Sequence, residues 1–323
     1  MKRKKFVSII TETTVRAGFE KFINAKIALN RAKDTIDYYN QRFEAFCKFL
    51  EEKKGIRLAR DLTEDIINEY VLYKRKNNPN ISSITINTEL RAIRAVLYYF
   101  MDKGFTPSFS ILLISAKKSP KECYTQEEQE QLIKKPNTKN CSFPEYRNWV
   151  IICHLMASGN RSKTIRGIKI KHVNLQERYI LLDEVKNNQI YEIPISNEYY
   201  PILSEYMNVR QGEPEEYLFC SQYGSQLSAG GLRAILRKYN LSRGITTTGI
   251  HRFRHTFAKS WIMEGGSAKK LQYALGHSDP KMVDEYIRLY GRDLQEDFSQ
   301  LTPLSHLKDK IEGKKAIMKR GKI

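Results

Sequence analysis

The sequence predicts a mainly α-helical protein with a small β-sheet in its second half. Apolar residues recur at steps of three and four through the first hundred residues, which is the spacing of amphipathic helices. Two short runs between residues 178 and 196 are rich in strand-forming residues. A basic, proline-broken segment around Pro120 separates the two regions, and 323 residues suffice for two apolar cores.

Helices account for the first region. One is predicted to begin at Asp34, whose carboxylate can accept hydrogen bonds from free N–H groups of the first turn. Two more are predicted over residues 64–76 and 85–103, the latter ending at Gly104. The apolar stripes of the first and last of these helices comprise Ile36, Tyr39, Phe43, Phe46 and Leu50, and Leu90, Ile93, Leu97 and Phe100.

The second region is mixed. Thr125 and Glu128 have the spacing of a capping box, so a new helix is predicted there. An apolar helix is expected over residues 146–158, and strands at Tyr179–Leu182 and near Tyr191–Ile195 flank a polar turn at Asn187. The predicted organisation is a helical domain (1–115), a linker (116–123), an α/β domain (124–303) and a basic tail (304–323).

The charge balance favours a polyanionic partner. The chain has 55 basic and 36 acidic residues, a net charge of +19, and a pI near 9.6. Nucleic acid is the commonest partner of such a surface. Basic side chains on the predicted N-terminal helices are candidates for contacts to the DNA backbone, although a solvated helix face explains them nearly as well. These candidates are Lys74, Arg75, Lys76, Arg91 and Arg94.

Other classes of protein are disfavoured by the sequence. Its five cysteines are scattered and odd in number, which argues against a disulfide framework and a zinc site and favours a reducing cytoplasm. No apolar run approaches the length of a membrane span, and no signal peptide is recognisable. We therefore expect a cytoplasmic protein with no metal and no cofactor.

Five segments of the second region carry residues suited to phosphate chemistry. Arginine binds oxyanions through a fork of donors, and histidine and lysine transfer protons. Tyrosine supplies an oxygen nucleophile, whose pKa near 10 is brought down by neighbouring arginines. The residues are Arg161 after a glycine turn, Lys186 at the hairpin tip, His251 and Arg254 on one helix face, His277 after Leu275-Gly276, and Tyr286.

Each of these residues also has an ordinary structural explanation. Arg161 could be a cation at a helix C-terminus, and Lys186 a solvated turn residue. His251 and Arg254 could be a surface pair beside a nucleic-acid groove. His277 could be a core histidine, and Tyr286 a core aromatic. Tyr290, one helical turn later, competes as nucleophile. The order and spacing of the whole set favour the chemical interpretation, because five independent coincidences are improbable.

The set resembles the active site of the tyrosine recombinases, which include phage integrases, Xer-type recombinases and transposon integrases. The resemblance rests on Arg161, Lys186, His251-x-x-Arg254, Leu275-Gly276-His277 and Tyr286. It extends to Pro194, eight residues after Lys186, and to the helix starts Thr35-x-x-Tyr38 and Thr85-x-x-Thr88-x-Leu90. It implies a SAM-like helical core-binding domain followed by an α/β catalytic domain.

The resemblance also implies a mechanism. Arg161 and Arg254 would bind the scissile phosphate, Lys186 would protonate the leaving 5′ oxygen, and His251 would assist proton transfer at the tyrosine. His277 would hydrogen-bond the phosphate, and Tyr286 would form a 3′-phosphotyrosyl link without a cofactor. The partner would be double-stranded DNA at specific sites, bound by a homotetramer assembled from protomers that are monomeric when free.

One position departs from the family pattern. The family often has an acidic residue three positions after the first arginine, and this chain has Thr164. Thr164 is the one feature that favours a different function, a DNA-binding regulator with an impaired active site. A type IB-like topoisomerase also stays open at this point, although the separate N-terminal helical domain and the small size favour recombination.

Overall fold

The computed structural model describes residues 12–116, 122–182, 191–276 and 281–290. Contacts divide the chain into two compact units, Met1–Ser119 and Pro120–Ile323. The mainly helical fold with one small sheet agrees with the sequence prediction. Within the described ranges, no helix is long and apolar enough to cross a membrane.

Four α-helices form the first unit between residues 12 and 116. The second of them begins one residue before Asp34, with Ala32 at the N-cap, so the prediction of Asp34 as the cap is wrong. The Asp34 carboxylate lies instead in the first turn, where it still faces the positive end of the helix dipole. The helices are α1 (Val15–Ala28), α2 (Lys33–Phe49), α3 (Glu64–Asn77) and α4 (Ser83–Asp102).

The core of the first unit is rich in aromatic side chains. Phe43, Phe46 and Phe100 are fully buried, as the predicted apolar stripes required. A buried carboxylate, Glu89, accepts hydrogen bonds from the Tyr70 hydroxyl at 2.8 Å and from the Lys74 ammonium at 3.0 Å. A buried charge is tolerated only when it is paired in this way.

The second unit surrounds a small antiparallel sheet with helices. The strands are β1 (Val173–Asn174), β2 (Tyr179–Leu182) and β3 (Tyr191–Pro194), in the order β1-β2-β3. Both strands predicted from the sequence are present, and the predicted turn at Asn187 lies outside the described residues. The helices are α5 (Gln126–Ile133), α6 (Phe143–Ser158), α7 (Ser162–Gly167), α8 (Tyr200–Arg210), α9 (Ala229–Ser242), α10 (Ile250–Met263), α11 (Ala268–Ala274) and α12 (Lys281–Tyr290).

The predicted capping box is confirmed at the start of α5. The Thr125 hydroxyl accepts from the Glu128 N–H, and the Glu128 carboxylate accepts from the Thr125 N–H. Arg252 of α10 holds the segment before this helix. Its guanidinium donates to the Cys123 carbonyl at 2.9 Å and lies over the Tyr124 ring.

Helix α10 is the scaffold of the second unit. It packs against α6, α11 and α12. Its residues Ala258 and Ile262 join Leu271, Val283 and Tyr286 in a small apolar cluster. This packing brings the end of α6, the end of α11 and the middle of α12 to one helix.

Candidate active site

A left-handed turn at the end of α6 presents Arg161. Gly159 has φ +60, and a β-carbon there would lie 2.9 Å from the Phe257 ring, so only glycine fits. Arg161 then occupies the N-cap of α7, where its side chain is exposed. Arg161 therefore lies between the C-terminal end of α6, which ends at Ser158, and the first turn of α7.

A buried polar network holds the turn at Gly159 against the core. The His154 ring lies 3.0 Å from the Tyr199 hydroxyl through Nδ1 and 3.0 Å from the Asn160 amide nitrogen through Nε2. The Ser158 hydroxyl donates to the His154 carbonyl and accepts from the Asn160 N–H. Complete burial lowers the pKa of His154 to about 3, so the ring is neutral. The residue immediately before Arg161 is thus fixed to the core.

Arg161 and Arg254 converge on one backbone segment. Arg254 is only 4% exposed, and it donates to the Gly159 carbonyl at 2.9 Å and to the Leu275 carbonyl at 2.7 Å. Arg161 donates to the Leu275 carbonyl at 3.4 Å and to the Gly276 carbonyl at 3.3 Å. Burial and the positive charge of Arg161 lower the pKa of Arg254 to about 10, which leaves it protonated near neutral pH.

His251 lies beside the arginine pair. It is exposed and sits one turn before Arg254 on α10. Partial desolvation and the positive charges of Arg254 and Arg161 lower the pKa of His251 from its ordinary value. The shift favours the neutral imidazole, which can donate one hydrogen bond and accept one.

Tyr286 approaches the same helix from α12. Its side chain is 1% exposed, and its hydroxyl lies 2.7 Å from Nδ1 of His255. The Arg254 guanidinium is close enough that the charge of a Tyr286 phenolate would raise the pKa of Arg254. The phenol, the arginine pair and two histidines therefore share one region of the second unit.

Gly276 allows the backbone to pass closely beneath Tyr191. It has φ +57, and a β-carbon at this position would collide with the Tyr191 hydroxyl. Tyr191 also belongs to the electrostatic surroundings of Arg254. The tight turn after α11 therefore aims the Leu275 and Gly276 carbonyls at the arginines.

The structure brings together four of the six catalytic candidates, namely Arg161, His251, Arg254 and Tyr286. The other two, Lys186 and His277, lie outside the described residues. Thr164, which replaces the family's usual acid, is buried in α7.

The N-terminal candidates for DNA contacts differ in their surroundings. Lys74 is bound to the buried carboxylate of Glu89. Arg75, Lys76 and Arg91 are exposed, and Arg94 is half-buried.

Sequence reasoning assigned no role to several residues of this site. His255 follows Arg254 directly, and its position four residues after His251 indicates a shared helix face. His154, Asn160 and Tyr199 form a network across separate elements, and no local pattern in the sequence marks it.

Comparison with known proteins decides the family. The sequence model of the phage integrase family matches residues 122–292, more than half of the chain. This chain belongs to the phage integrase family. It is a tyrosine-type recombinase, an enzyme that cuts and rejoins DNA at specific sites. The two other functions left open by the sequence, a topoisomerase and a regulator, gain no support from the matches.

Curated relatives align with this recombinase over nearly their whole length. Tyrosine recombinase XerC of Actinobacillus succinogenes is 23% identical over 273 residues, which are 83% of this chain and 91% of the relative. Tyrosine recombinase XerD of Halalkalibacterium halodurans is 22% identical over 303 residues, which are 90% of this chain and 99% of the relative.

Solved structures share the fold. The Tn1549 transposon integrase in complex with transposon right end DNA has a TM-score of 0.69 at 22% identity, covering 90% of this chain and 99% of that one. A lambda integrase dimer bound to a COC′ core site has a TM-score of 0.67 at 15% identity, covering 85% and 95%.

Proposed function

We propose that this recombinase cleaves one DNA strand by attack of Tyr286 on a backbone phosphate bound between Arg161 and Arg254. The single observation that carries the proposal is the convergence of both guanidinium groups on the Leu275 carbonyl. Two cations fixed around one polar oxygen form a site that can also receive phosphate oxygens. The two guanidinium groups would neutralise the pentacoordinate transition state, an electrostatic contribution that is usually large.

Proton transfers complete the proposed reaction. The phenolic proton of Tyr286 leaves as the oxygen–phosphorus bond forms, and the phosphorus–O5′ bond breaks. Lys186 protonates the departing 5′ oxygen, His251 assists proton transfer, and His277 binds the phosphate. The product is a 3′-phosphotyrosyl link with a free 5′ hydroxyl. A 5′ hydroxyl from the partner strand then reverses the step without an external energy source.

The same proposal includes the assembly on DNA. The partner is double-stranded DNA at specific sites, bound by a homotetramer that exchanges strands through a Holliday junction. A lambda integrase tetramer bound to a Holliday junction has a similar fold, with a TM-score of 0.66. The biological event is integration or recombination of a mobile element, or Xer-type recombination, in the cytoplasm. The five cysteines, all of which lie in the described residues, form no disulfide, which fits a reducing compartment.

The domain organisation is part of the proposal. A helical DNA-binding domain over residues 1–115 contacts the DNA backbone, and its exposed candidates for these contacts are Arg75, Lys76 and Arg91. The catalytic domain covers residues 124–303. The division of contacts between residues 119 and 120 and the family match from residue 122 support a boundary near the predicted linker at 116–123.

A nicked suicide duplex made from the native flanking DNA tests the chemistry. After cleavage, the short fragment that carries the new 5′ hydroxyl diffuses away, so the strand cannot be rejoined. The covalent protein–DNA adduct then accumulates and is detected on a denaturing gel. We expect an adduct with the wild-type chain and with Tyr290→Phe, and none with Tyr286→Phe. An adduct in the Tyr286→Phe chain that disappears in Tyr290→Phe would show that the nucleophile is assigned incorrectly.

A further inference from the structure

The contact between His255 and Tyr286 has no part in the chemistry proposed so far. The phenolic oxygen and Nδ1 are 2.7 Å apart, and the two ring centroids are 5.7 Å apart. The distance is that of a strong hydrogen bond. When Nδ1 carries no proton, the phenol must be the donor and the imidazole the acceptor. The imidazole is then placed to take the proton that the nucleophile must lose.

Arg254, the residue before His255 on α10, would stabilise the resulting phenolate. His255 follows Arg254 directly, and the Arg254 guanidinium interacts favourably with negative charge on Tyr286. One turn of helix therefore offers the phenol both a proton acceptor and a fixed cation. His251, which the family resemblance assigns to proton transfer at the tyrosine, lies in the field of Arg161 and Arg254. The structure thus offers two histidines for two different places in the site.

We propose that His255 is a catalytic residue that accepts the phenolic proton of Tyr286 during strand cleavage. The inference rests on the proposed function, since it requires Tyr286 as the nucleophile. The proton moves from the phenolic oxygen to Nδ1, the oxygen–phosphorus bond forms, and the phosphorus–O5′ bond breaks. The 5′ oxygen takes its proton from Lys186. In rejoining, His255 returns its proton to the phenolic oxygen as that oxygen leaves phosphorus.

Single-turnover cleavage of the suicide duplex measures the contribution of His255. His255→Ala removes the acceptor. His255→Asn is the matched control, because an amide near the Nδ1 position keeps a hydrogen bond but cannot take a proton. We expect both variants to cleave about 100-fold more slowly at pH 7.5, within the usual range for acid–base catalysis. DNA affinity, measured by fluorescence anisotropy, and the midpoint of thermal unfolding should stay close to the wild-type values.

The pH dependence of cleavage supplies a second readout. A histidine base works only when neutral, so the wild-type rate should fall tenfold per pH unit once the pH is low enough to protonate that base. Both variants should lack this decline. Other charged or titratable groups on the elements around His255 include His251, Arg254 and Lys259 on α10, Cys123 before α5, and Asp284 and Arg288 on α12. All of them, His251 included, remain in the variants, so a part of the decline that only the His255 variants lose reports His255.

A sulfur leaving group separates this role from proton donation. A substrate with sulfur in place of the bridging 5′ oxygen expels a thiolate, which needs no general acid. It should restore cleavage by Lys186→Ala but leave His255→Ala slow. Replacing Tyr286 by 3,5-difluorotyrosine, a more acidic phenol, should instead restore much of the rate in His255→Ala. If His255→Ala fails to fold, the same replacement in the chain that keeps His255 should weaken the decline of the rate at low pH, because a more acidic phenol depends less on a base.

Each outcome has a definite meaning. Wild-type rates and pH profiles in both His255 variants would overturn the inference while leaving the proposed function intact. Recovery of His255→Ala on the sulfur substrate would assign His255 to the leaving group and would also overturn it. An adduct in the Tyr286→Phe chain would refute the proposed function itself and the inference with it.

Discussion

Arg161 and Arg254 donate hydrogen bonds to the same backbone oxygen, the carbonyl of Leu275, at 3.4 Å and 2.7 Å. The two guanidinium groups come from helices far apart in sequence, and like charges repel. The Leu275, Gly159 and Gly276 carbonyls offset this repulsion and fix the pair before DNA arrives. Such preorganisation lowers the cost of stabilising charge in the transition state.

We predict that Arg161→Lys lowers the rate of adduct formation by about 100-fold, the loss typical of one displaced transition-state donor. Lysine keeps the charge but loses the planar fork that binds two oxygens. The measurement is single-turnover cleavage of the suicide duplex. Arg166→Lys at the other end of α7 is the matched control and should be nearly neutral, because Arg166 donates to the Leu227 carbonyl instead. Equal losses in the two variants would contradict the prediction.

Gly276→Ala should damage catalysis more than a comparable glycine substitution elsewhere. The new β-carbon would collide with the Tyr191 hydroxyl and displace the carbonyls that hold the arginines. Gly265→Ala is the control, since Gly265 has a similar φ of +71 with nothing within 4 Å of a β-carbon. Both variants should lose about 1 kcal/mol in the free energy of unfolding from the left-handed backbone, and Gly276→Ala should lose more because of the collision. Only Gly276→Ala should lose most of its cleavage rate, and similar rates in the two variants would refute the role of Tyr191.

The sequence was most informative where the signal is local. Apolar periodicity predicted the helices from α2 to α4 because burial of one face repeats every three to four residues. The capping box at Thr125 was predicted because its two hydrogen bonds lie within one turn. The start of α2 was placed incorrectly, since Asp34 also suits the first turn and no local rule separates the two positions.

The site required tertiary information. The family pattern supplied Arg161 and Arg254, yet nothing in the sequence says that the Leu275 carbonyl joins them. His255 and Tyr286 are 31 positions apart, and their contact depends on how α12 packs on α10. The protonation state of His154 depends on its burial, which no spacing rule in the sequence predicts.

Acid should destabilise the folded chain through His154. Complete burial lowers the pKa of this residue from 6.5 to about 3, so the unfolded chain binds its proton first as the pH falls. Folding stability due to this group is therefore intact above pH 6.5 and is lost at about 1.4 kcal/mol per pH unit below it. Chemical denaturation at pH 6.5 and pH 5.0 measures this loss.

The variant His154→Phe isolates the contribution of the buried histidine. It keeps an aromatic ring in the core but has no titrating group there. The decrease in unfolding free energy between pH 6.5 and pH 5.0 should be about 2 kcal/mol smaller than in the wild type. An equal decrease in both chains would mean that His154 does not stay neutral in the folded state. The variant also removes the contact to Asn160, so we expect slower cleavage through a less well positioned Arg161.

The three adjacent basic residues at the end of α3 should behave differently in DNA binding. Lys74 is engaged by the buried Glu89 carboxylate, whereas Arg75 and Lys76 are exposed. Lys74→Met should lower the free energy of unfolding by about 2 kcal/mol, because it leaves a buried charge with fewer partners. It should change little in the salt dependence of DNA affinity.

Arg75→Ala and Lys76→Ala provide the matched comparison. Each should leave stability unchanged and reduce the slope of log affinity against log salt by about 0.9 if the side chain neutralises one phosphate. Fluorescence anisotropy titrations at several salt concentrations give this slope. A reduced slope in Lys74→Met alone would assign the DNA contact to Lys74 and would show that its ion pair with Glu89 opens on binding.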